Sequence, residues 1–220
     1  MTAHGGETVA IIIPAYNEED RIGTVLEAVT GSDLVDEVIV VNDGSRDATG
    51  SVVEKHGVRL VNRSANGGKG AAMQDGLQAT NADIIGFVDA DLVNFTADHL
   101  RSLIEPLLAD RALLMTLGKF TRGRKRTDWA QRLVPSISGQ RFLRREVLEG
   151  MPDLSNAGFG VETLISRHVK SIGARTTEVL LPRASQVMKE EKMGPIAGFL
   201  DRLRMYKEIL KQLLFGSRST

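Results

Sequence analysis

Two carboxylates separated by one residue, in the segment Asp89-Ala90-Asp91, are the feature of this sequence best suited to chemistry. Hard cations such as Mg²⁺ and Mn²⁺ prefer oxygen ligands, and one or two carboxylates commonly hold them together with the phosphates of a substrate. Two acids on a short turn are also common as solvated loop residues, so the pair alone leaves both interpretations open. The chemistry to look for is cation-assisted binding of a phosphorylated ligand.

A Gly-rich segment at residues 66–70 (NGGKG) is the second feature suited to phosphate. Glycine permits close approach of the backbone, and a helix N-terminus favours anions. Lys69 adds a positive point charge. The alternative is a turn that merely starts a helix. The spacing is not that of a P-loop.

Four apolar runs predict buried strands that would position these segments. Helical patterns lie between the runs, and such alternation predicts an α/β fold with a mostly parallel sheet and helices on both faces. The four strands are predicted at residues 9–13, 38–41, 59–61 and 84–88. Later strands are predicted at 113–117 and 176–181, and later helices at 96–109, after Arg141 through Leu148, and over 158–171.

Three of the predicted strands end in polar sequence, at residues 14–18, 42–45 and 89–91. In open α/β sheets, ligands bind outside the carboxyl ends of the strands. We therefore expect these three segments to meet at one edge of the sheet and to form one ligand site there.

The composition of the 220 residues argues against one kind of ligand binding and excludes sites that need cysteine. The 28 basic and 28 acidic residues balance, which argues against bulk electrostatic binding of nucleic acid. There is no cysteine, so disulfides and thiolate metal sites are excluded. The N-terminus lacks a secretory pattern and no apolar run is long enough to span a membrane, so a cytoplasmic location is expected.

Four motifs occur in order, at residues 11–18 (IIIPAYNE), 41–47 (VNDGSRD), 66–70 (NGGKG) and 89–91 (DAD). Together they resemble the inverting glycosyltransferase family 2 and its relatives with the GT-A fold. The resemblance implies a nucleotide-sugar donor and a divalent metal, Mg²⁺ or Mn²⁺. It also implies one GT-A domain over 1–195, with a donor-binding half at 9–108 and an acceptor-binding half at 109–195, followed by an amphipathic helix at 196–220.

The resemblance assigns the nucleotide sugar to residues of the four motifs, namely Pro14, Ala15, Asn17, Glu18, Asp43, Gly44, Lys69, Asp89 and Ala90. Asp91 would ligate the metal directly, whereas Asp89 would face the ribose or a metal-bound water and is a second candidate ligand. Related enzymes often add a histidine ligand after a late strand. Residues 182–189 contain no histidine, and Gln186 is the nearest candidate, although an amide oxygen is a weaker ligand than imidazole for transition metals.

The second half resembles the acceptor segments of glucosyl-3-phosphoglycerate synthases and polyprenyl-phosphate glycosyltransferases, at residues 138–148 (SGQRFLRREVL) and 158–162 (GFGVE). By that likeness Glu162 would be the catalytic base or the carboxylate that orients the acceptor; the alternative is an acid that stabilises a helix dipole. The basic loop at 119–126 would close over the diphosphate or bind a phosphorylated acceptor; the alternative is a solvated charged loop. The predicted acceptor ligands are Ser138, Gly139, Gln140, Arg141 and, in the basic loop, Arg124.

The expected function is inverting transfer of a sugar, glucose favoured, from a UDP-sugar to the hydroxyl or phosphate of a small phosphorylated or lipid-phosphate acceptor. One alternative is a polyprenyl-phosphate glycosyltransferase that uses GDP-mannose or UDP-glucose. An alternative from another class is a nucleotide-sugar-binding protein without transferase activity. The helix at 196–220 carries basic residues beside its apolar stripe, which suits packing on protein, a homodimer, or peripheral contact with the cytoplasmic face of a membrane.

Overall fold

The structure, a computed structural model, describes residues 6–120 and 140–186. Its strands are β1 (Val9–Ala15), β2 (Glu37–Asn42), β3 (Arg59–Asn62), β4 (Ile84–Phe87), β5 (Leu92–Val93), β6 (Met115–Phe120), β7 (Arg141–Arg144), β8 (Thr176–Leu181) and β9 (Ser185–Gln186). Its helices are α1 (Ile22–Thr30), α2 (Thr49–Lys55), α3 (Lys69–Gln78), α4 (Ala97–Ala109), α5 (Arg145–Glu149) and α6 (Val161–Ser171), with a 3-10 helix at Leu154–Gly160.

A seven-stranded sheet in the order β3-β2-β1-β4-β7-β6-β8 forms the centre of the described part of the chain. The first four strands are mutually parallel, and β6 is parallel to β8. Only β7 among these strands runs the other way, antiparallel to both β4 and β6. The predicted α/β fold with a mostly parallel sheet is confirmed.

Alternate residues of β1 face opposite sides of this sheet, which explains why its whole apolar run is buried. Ile11 and Ile13 pack in one core cluster with α1 and α4. Ala10 and Ile12 pack in a second cluster with α3 and α6. The sheet therefore separates two apolar layers, and helices cover both faces as the strand and helix alternation predicted.

The segment after Gln140 corrects the sequence prediction. The helix predicted after Arg141 through Leu148 is wrong in its first half, because β7 (Arg141–Arg144) continues to Arg144 and α5 begins only at Arg145. All four residues of β7 are buried between β4 and β6, with Phe142 opposite Gly86 on one side and Thr116 on the other. Tertiary pairing selects the extended conformation of a segment whose local pattern does not alternate.

A small second sheet stands at the carboxyl edge of the main one. β5 follows Asp91 directly and pairs antiparallel with β9, which places Leu92 opposite Gln186. The hydrogen bond from Asn94 Nδ2 to the carbonyl of Arg183, 3.3 Å long, also links the two segments. The chain after β8 is thereby returned to the acidic segment that follows β4.

None of the helices in the described ranges is long and apolar enough to cross a membrane. Several predictions lie outside the described residues: the basic loop beyond Phe120 with Arg124, the acceptor residues Ser138 and Gly139, and the helix at 196–220. The division into two halves and a C-terminal helix stays a prediction.

Candidate active site

The loops after β1 and β2 are bound to each other by hydrogen bonds. Asn17 adopts a positive φ of 55°, a conformation that asparagine tolerates better than most residues. Its N–H donates to Ser45 Oγ over 3.0 Å, and its Oδ1 accepts from the N–H of Arg46 over 2.9 Å. The N–H of Glu18 donates to Thr49 Oγ1 over 2.8 Å. These bonds hold the two loops as one surface; the predicted nucleotide contacts of Asn17 and Glu18 stay predictions.

Asp43, just after β2, is buried and binds the Gly-rich loop. Its Oδ1 accepts from the N–H of Gly67 over 2.9 Å, and its Oδ2 accepts from the N–H of Gly68 over 2.8 Å. Arg63 Nε lies 2.9 Å from Oδ1 as an ion pair without hydrogen-bond geometry. The anion at this helix N-terminus is therefore the carboxylate of Asp43, and these two N–H groups are already used within the protein.

Close approach of backbone explains the glycine that follows Asp43. Gly44 has a φ of 72°, and a Cβ there would lie 2.8 Å from the backbone nitrogen of Asn66.

Arg63, which was not predicted from the sequence, ion-pairs with Asp75 over 2.5 Å as well as with Asp43. Its position directly after the parallel strand β3 was the signal that could have identified it.

Lys69, the first residue of α3, joins the two predicted halves of the site. Its Nζ lies 2.5 Å from Asp89 Oδ1 and 2.5 Å from Glu162 Oε1. Asp89 follows β4, and Glu162 is in the first turn of α6. One ammonium group therefore links a carboxylate of the acidic segment to the predicted base. The sequence predicted Lys69 beside the diphosphate, but it did not predict the contact with Glu162.

Close helix packing brings Lys69 and Glu162 together. A Cβ on Gly70 would clash with the carbonyl oxygen of Leu154, so the first turn of α3 lies directly on the 3-10 helix. Gly158 in that helix has a φ of 53° and a ψ of −129°, a conformation that glycine adopts readily. The 3-10 helix leads straight into α6, which carries Glu162.

Electrostatics hold Lys69 in its charged form. Burial lowers the pKa of Lys69, but attraction by Asp89 and Glu162 and the two hydrogen bonds outweigh this effect, so the pKa lies above its ordinary value. The group therefore remains an ammonium at neutral pH and is unsuited to act as a base. Burial lowers the pKa of Arg141, against the attraction of Glu162 and Asp89, and a guanidinium stays charged in proteins.

The side chains of Gln140 and Arg141 point at protein groups. Arg141 Nη1 donates to the carbonyl of Glu162 over 2.8 Å and to Ser166 Oγ over 3.1 Å. Gln140 Nε2 donates to Asp89 Oδ2 over 2.9 Å. Both residues were predicted to contact the acceptor. Because both are fully buried, their polar groups are satisfied inside the protein, and the described contacts give them positioning roles toward Glu162 and Asp89.

The carboxylates of Asp89 and Asp91 converge on Gln186. Gln186 Nε2 donates to Asp91 Oδ1 over 2.9 Å and to Asp89 Oδ2 over 3.1 Å. Within residues 6–120 and 140–186, no cluster of three His, Cys, Asp or Glu side chains could hold a metal ion. The candidate donor set is therefore two carboxylates and one amide. All three offer oxygen, so the set fits Mg²⁺ or Mn²⁺.

The charges around this set also favour a cation. Asp89, Asp91 and Glu162 contribute three carboxylates, whereas Lys69 and Arg141 contribute two cations. Both aspartates and Glu162 are largely shielded from water, which strengthens their field. These five side chains together carry a net charge of minus one before any ligand binds.

The sequence profile of glycosyl transferase family 2 matches residues 10–168. The chain belongs to glycosyl transferase family 2. The match spans the four motifs and Glu162, and it ends before Gln186. The family predicted from the four motifs is confirmed. Pro14, Ala15 and Ala90 lie within the family match, and their predicted nucleotide contacts stay predictions.

Two proteins similar to this family 2 chain have names that include a phosphorylated compound. A glucosyl-3-phosphoglycerate synthase of Mycolicibacterium smegmatis is 36% identical over 129 residues, 54% of this chain and 43% of that protein. A dolichyl-phosphate beta-glucosyltransferase of Trichomonas vaginalis is 31% identical over 147 residues, 60% of this chain and 45% of that protein. The chain spans less than half the length of these curated relatives.

Solved structures of similar proteins confirm the GT-A fold. The glucosyl-3-phosphoglycerate synthase of Mycobacterium tuberculosis in complex with Mn²⁺ and uridine-diphosphate-glucose is 29% identical, with a TM-score of 0.79 over 95% of this chain and 78% of that chain. The same enzyme in complex with phosphoglyceric acid has a TM-score of 0.78 at 28% identity, over 95% of this chain and 79% of that chain.

Proposed function

We propose that this family 2 chain transfers glucose from UDP-glucose to a small phosphorylated acceptor, with inversion at the anomeric carbon and with a divalent cation, Mg²⁺ or Mn²⁺. The observation that carries the proposal is the contact of Lys69 with both Asp89 and Glu162. It brings Asp89 of the acidic segment and the candidate base Glu162 to the same ammonium group. The named activities and bound ligands of the similar proteins support the choice of glucose, UDP and a phosphorylated acceptor.

On the donor side, Asp91, Asp89 and the amide of Gln186 would hold the cation. A cation bound there neutralises charge on the departing diphosphate. Lys69 supplies a fixed positive charge beside the same carboxylates, and it needs no reorganisation during the reaction. The Asn17 loop and the loop held by Asp43 form the neighbouring edge of the sheet, where the uridine would lie.

On the acceptor side, Glu162 would accept the proton of the attacking hydroxyl. The acceptor oxygen forms a bond to the anomeric carbon while the bond from that carbon to the diphosphate oxygen breaks, and UDP departs. Lys69 contacts Oε1 of Glu162, so the other carboxylate oxygen would accept the proton. Arg141 donates to the backbone carbonyl of Glu162 and would thereby help to position its side chain.

A polyprenyl phosphate is the second candidate acceptor. The similarity to a dolichyl-phosphate beta-glucosyltransferase favours it, and the basic residues at 119–126 suit the phosphate of either acceptor. Peripheral membrane contact through residues 196–220 would suit this candidate, whereas packing on protein and a homodimer are the other predictions for that segment. Binding of nucleotide sugar without transfer is the alternative from another class.

The proposal is tested by incubating the full chain with UDP-glucose and MgCl₂ or MnCl₂, and by identifying products by mass spectrometry. Parallel reactions contain phosphoglyceric acid, a polyprenyl phosphate in detergent, or no acceptor. We expect a glucosylated phosphoglycerate, with loss of product in Asp91→Ala. Product only with the polyprenyl phosphate would select the second candidate. UDP-glucose binding without UDP release in any reaction would leave only the binding function.

A further inference from the structure

Gln186 is fixed beside the acidic segment by backbone pairing. It ends β9 and lies opposite Leu92 of β5, which is the residue directly after Asp91. Its amide is within hydrogen-bond distance of both Asp89 and Asp91. Pairing of two short strands therefore brings Gln186 to the two aspartates, although it lies 97 residues after Asp89 and 95 residues after Asp91 in the chain.

The orientation of this amide follows from charge. Gln186 Nε2 donates to Asp91 Oδ1 over 2.9 Å and to Asp89 Oδ2 over 3.1 Å. The opposite orientation would direct the carbonyl oxygen at two carboxylates, which offer no proton to it. The amino group therefore faces the aspartates while they are ionised and hold no cation.

A cation between the same carboxylates would reverse the local field. The N–H dipoles of a neutral amide point their positive ends at a cation and are repelled by it, whereas an amide carbonyl oxygen is a ligand of hard cations. A half-turn about the Cγ–Cδ bond exchanges Nε2 and Oε1 at nearly the same positions. The exchange needs no movement of β5 or β9, because only the terminal amide rotates.

We propose that Gln186 is the metal-responsive and metal-selecting residue of this site: its amide group bridges Asp89 and Asp91 without metal, and its carbonyl oxygen binds the divalent cation when one is present. The inference rests on the proposed function. An all-oxygen donor set suits both Mg²⁺ and Mn²⁺, whereas an imidazole nitrogen is a better ligand for a transition metal such as Mn²⁺ than for Mg²⁺. The ratio of Mn²⁺ affinity to Mg²⁺ affinity should consequently be lower in this chain than in a variant with histidine at the same position.

The test measures metal affinity in the presence of UDP and needs no turnover. Free Mn²⁺ is followed by electron paramagnetic resonance, and Mg²⁺ affinity is obtained by competition. The proteins are the wild type, Gln186→His, Gln186→Ala and the control Gln78→Ala, which changes an exposed glutamine of α3. We expect Gln186→Ala to lower the affinity for both metals by about 10-fold. We expect Gln186→His to raise the ratio of Mn²⁺ affinity to Mg²⁺ affinity by about 10-fold. Gln78→Ala should match the wild type.

A second readout follows the amide itself. In ¹⁵N-labelled protein, the side-chain NH₂ signals of Gln186 are identified by their absence from Gln186→Ala, and MgCl₂ is titrated with UDP present. We expect these signals to move to the range of NH₂ groups without protein acceptors. Unchanged signals at saturating Mg²⁺, or an unchanged Mg²⁺ to Mn²⁺ affinity ratio in Gln186→His, would overturn the proposal.

The role of Gln186 and the proposed function can be contradicted independently of each other. If the variants leave metal binding unaltered while UDP-glucose still binds, the role of Gln186 is wrong and the proposed function stands. If the wild type binds neither UDP nor UDP-glucose, the proposed function fails as well.

Discussion

Lys69 satisfies two carboxylates that would otherwise repel each other. Its ammonium lies 2.5 Å from both Asp89 and Glu162, and each of the three side chains is largely shielded from water. Removal of one partner from a shielded ion cluster leaves uncompensated charge, which costs more than the ion pair itself contributes. The contacts therefore give Lys69 a structural role in linking the two carboxylates, and the proposed function adds an electrostatic role toward the substrate.

Replacement of Lys69 by Met should lower UDP release from UDP-glucose by at least about 100-fold, because a fixed charge aimed at the leaving group is lost. Steady-state kinetics with saturating acceptor measures the effect. Lys55→Met is the control, since Lys55 is an exposed lysine of α2. Equal rates in wild type and Lys69→Met would exclude an electrostatic role for this lysine.

Glu162→Gln separates catalysis from helix stabilisation. The amide keeps the shape and can still accept from Lys69, but it cannot take a proton, so we expect transfer to fall by about 100-fold to 10,000-fold while UDP-glucose affinity changes little. Product formation and calorimetric binding are both measured. Glu146→Gln is the control, because Glu146 is an exposed acid in the first turn of α5. If Glu162→Gln transfers glucose as fast as Glu146→Gln and the wild type, Glu162 only stabilises its helix.

At the scale of elements, α3 is the helix whose packing places Lys69. Gly76 faces the sheet, and a Cβ there would clash with the side chain of Ile12. The same helix begins at the Gly-rich loop that binds Asp43. Displacement of α3 from the sheet would therefore shift Lys69 relative to Asp89.

Gly76→Ala should destabilise the protein by about 1–3 kcal/mol, because overpacking outweighs the helix propensity that alanine adds. Urea unfolding measures this change. Gln78→Ala, at an exposed position of the same helix, should alter the free energy of unfolding by no more than about 0.5 kcal/mol. A Gly76→Ala protein as stable as the wild type would show that the helix shifts without cost.

Elements with strong local signals were predictable from sequence. β8 has the predicted bounds of residues 176–181, and the helix predicted at 96–109 is α4, which Thr96 caps through a capping box with His99. β6 begins two residues later than predicted, and β7 was predicted as helix. The difference is physical: caps and apolar runs are local, whereas β7 is extended because β4 and β6 pair with it on both sides.

The same distinction applies to the site. The polar ends of β1, β2 and β4 could be placed at one edge because parallel strands share that edge. The partners of Asp43 and the bridge from Lys69 to Glu162 could not, since they join residues 24 and 93 positions apart. No local pattern encodes such contacts; they depend on how α3 and α6 pack.

At the scale of the whole molecule, one contact outside the site joins the starts of β1 and β4. The N–H and hydroxyl of Thr8 both donate to Asp83 Oδ2 over 2.8 Å. The bonds from Thr8 lower the pKa of Asp83 below its ordinary value of 3.8. Because the pKa of Asp83 is lower in the folded protein than in the unfolded chain, the ionised carboxylate stabilises the fold at every pH above the unfolded-state pKa. This stabilisation is lost as the pH falls through the folded-state pKa.

Asp83→Asn should therefore lower the melting temperature at pH 7, where the carboxylate accepts both bonds, and the difference from wild type should shrink once the pH falls below 3.8. Thermal unfolding across that range measures the two curves. A difference that is independent of pH would mean that the contact contributes through shape and not through charge.

The central claim is that the acidic segment after β4 holds the diphosphate of a nucleotide sugar with a divalent cation. Calorimetric binding of UDP-glucose in MgCl₂ tests it most directly, with wild type, Asp91→Asn and the control Asp98→Asn, which changes an exposed acid of α4. We predict binding by wild type and Asp98→Asn, and affinity reduced by at least about 10-fold in Asp91→Asn. Equal affinity in Asp91→Asn, or no binding by the wild type, would show that the acidic segment does not hold the diphosphate in this way.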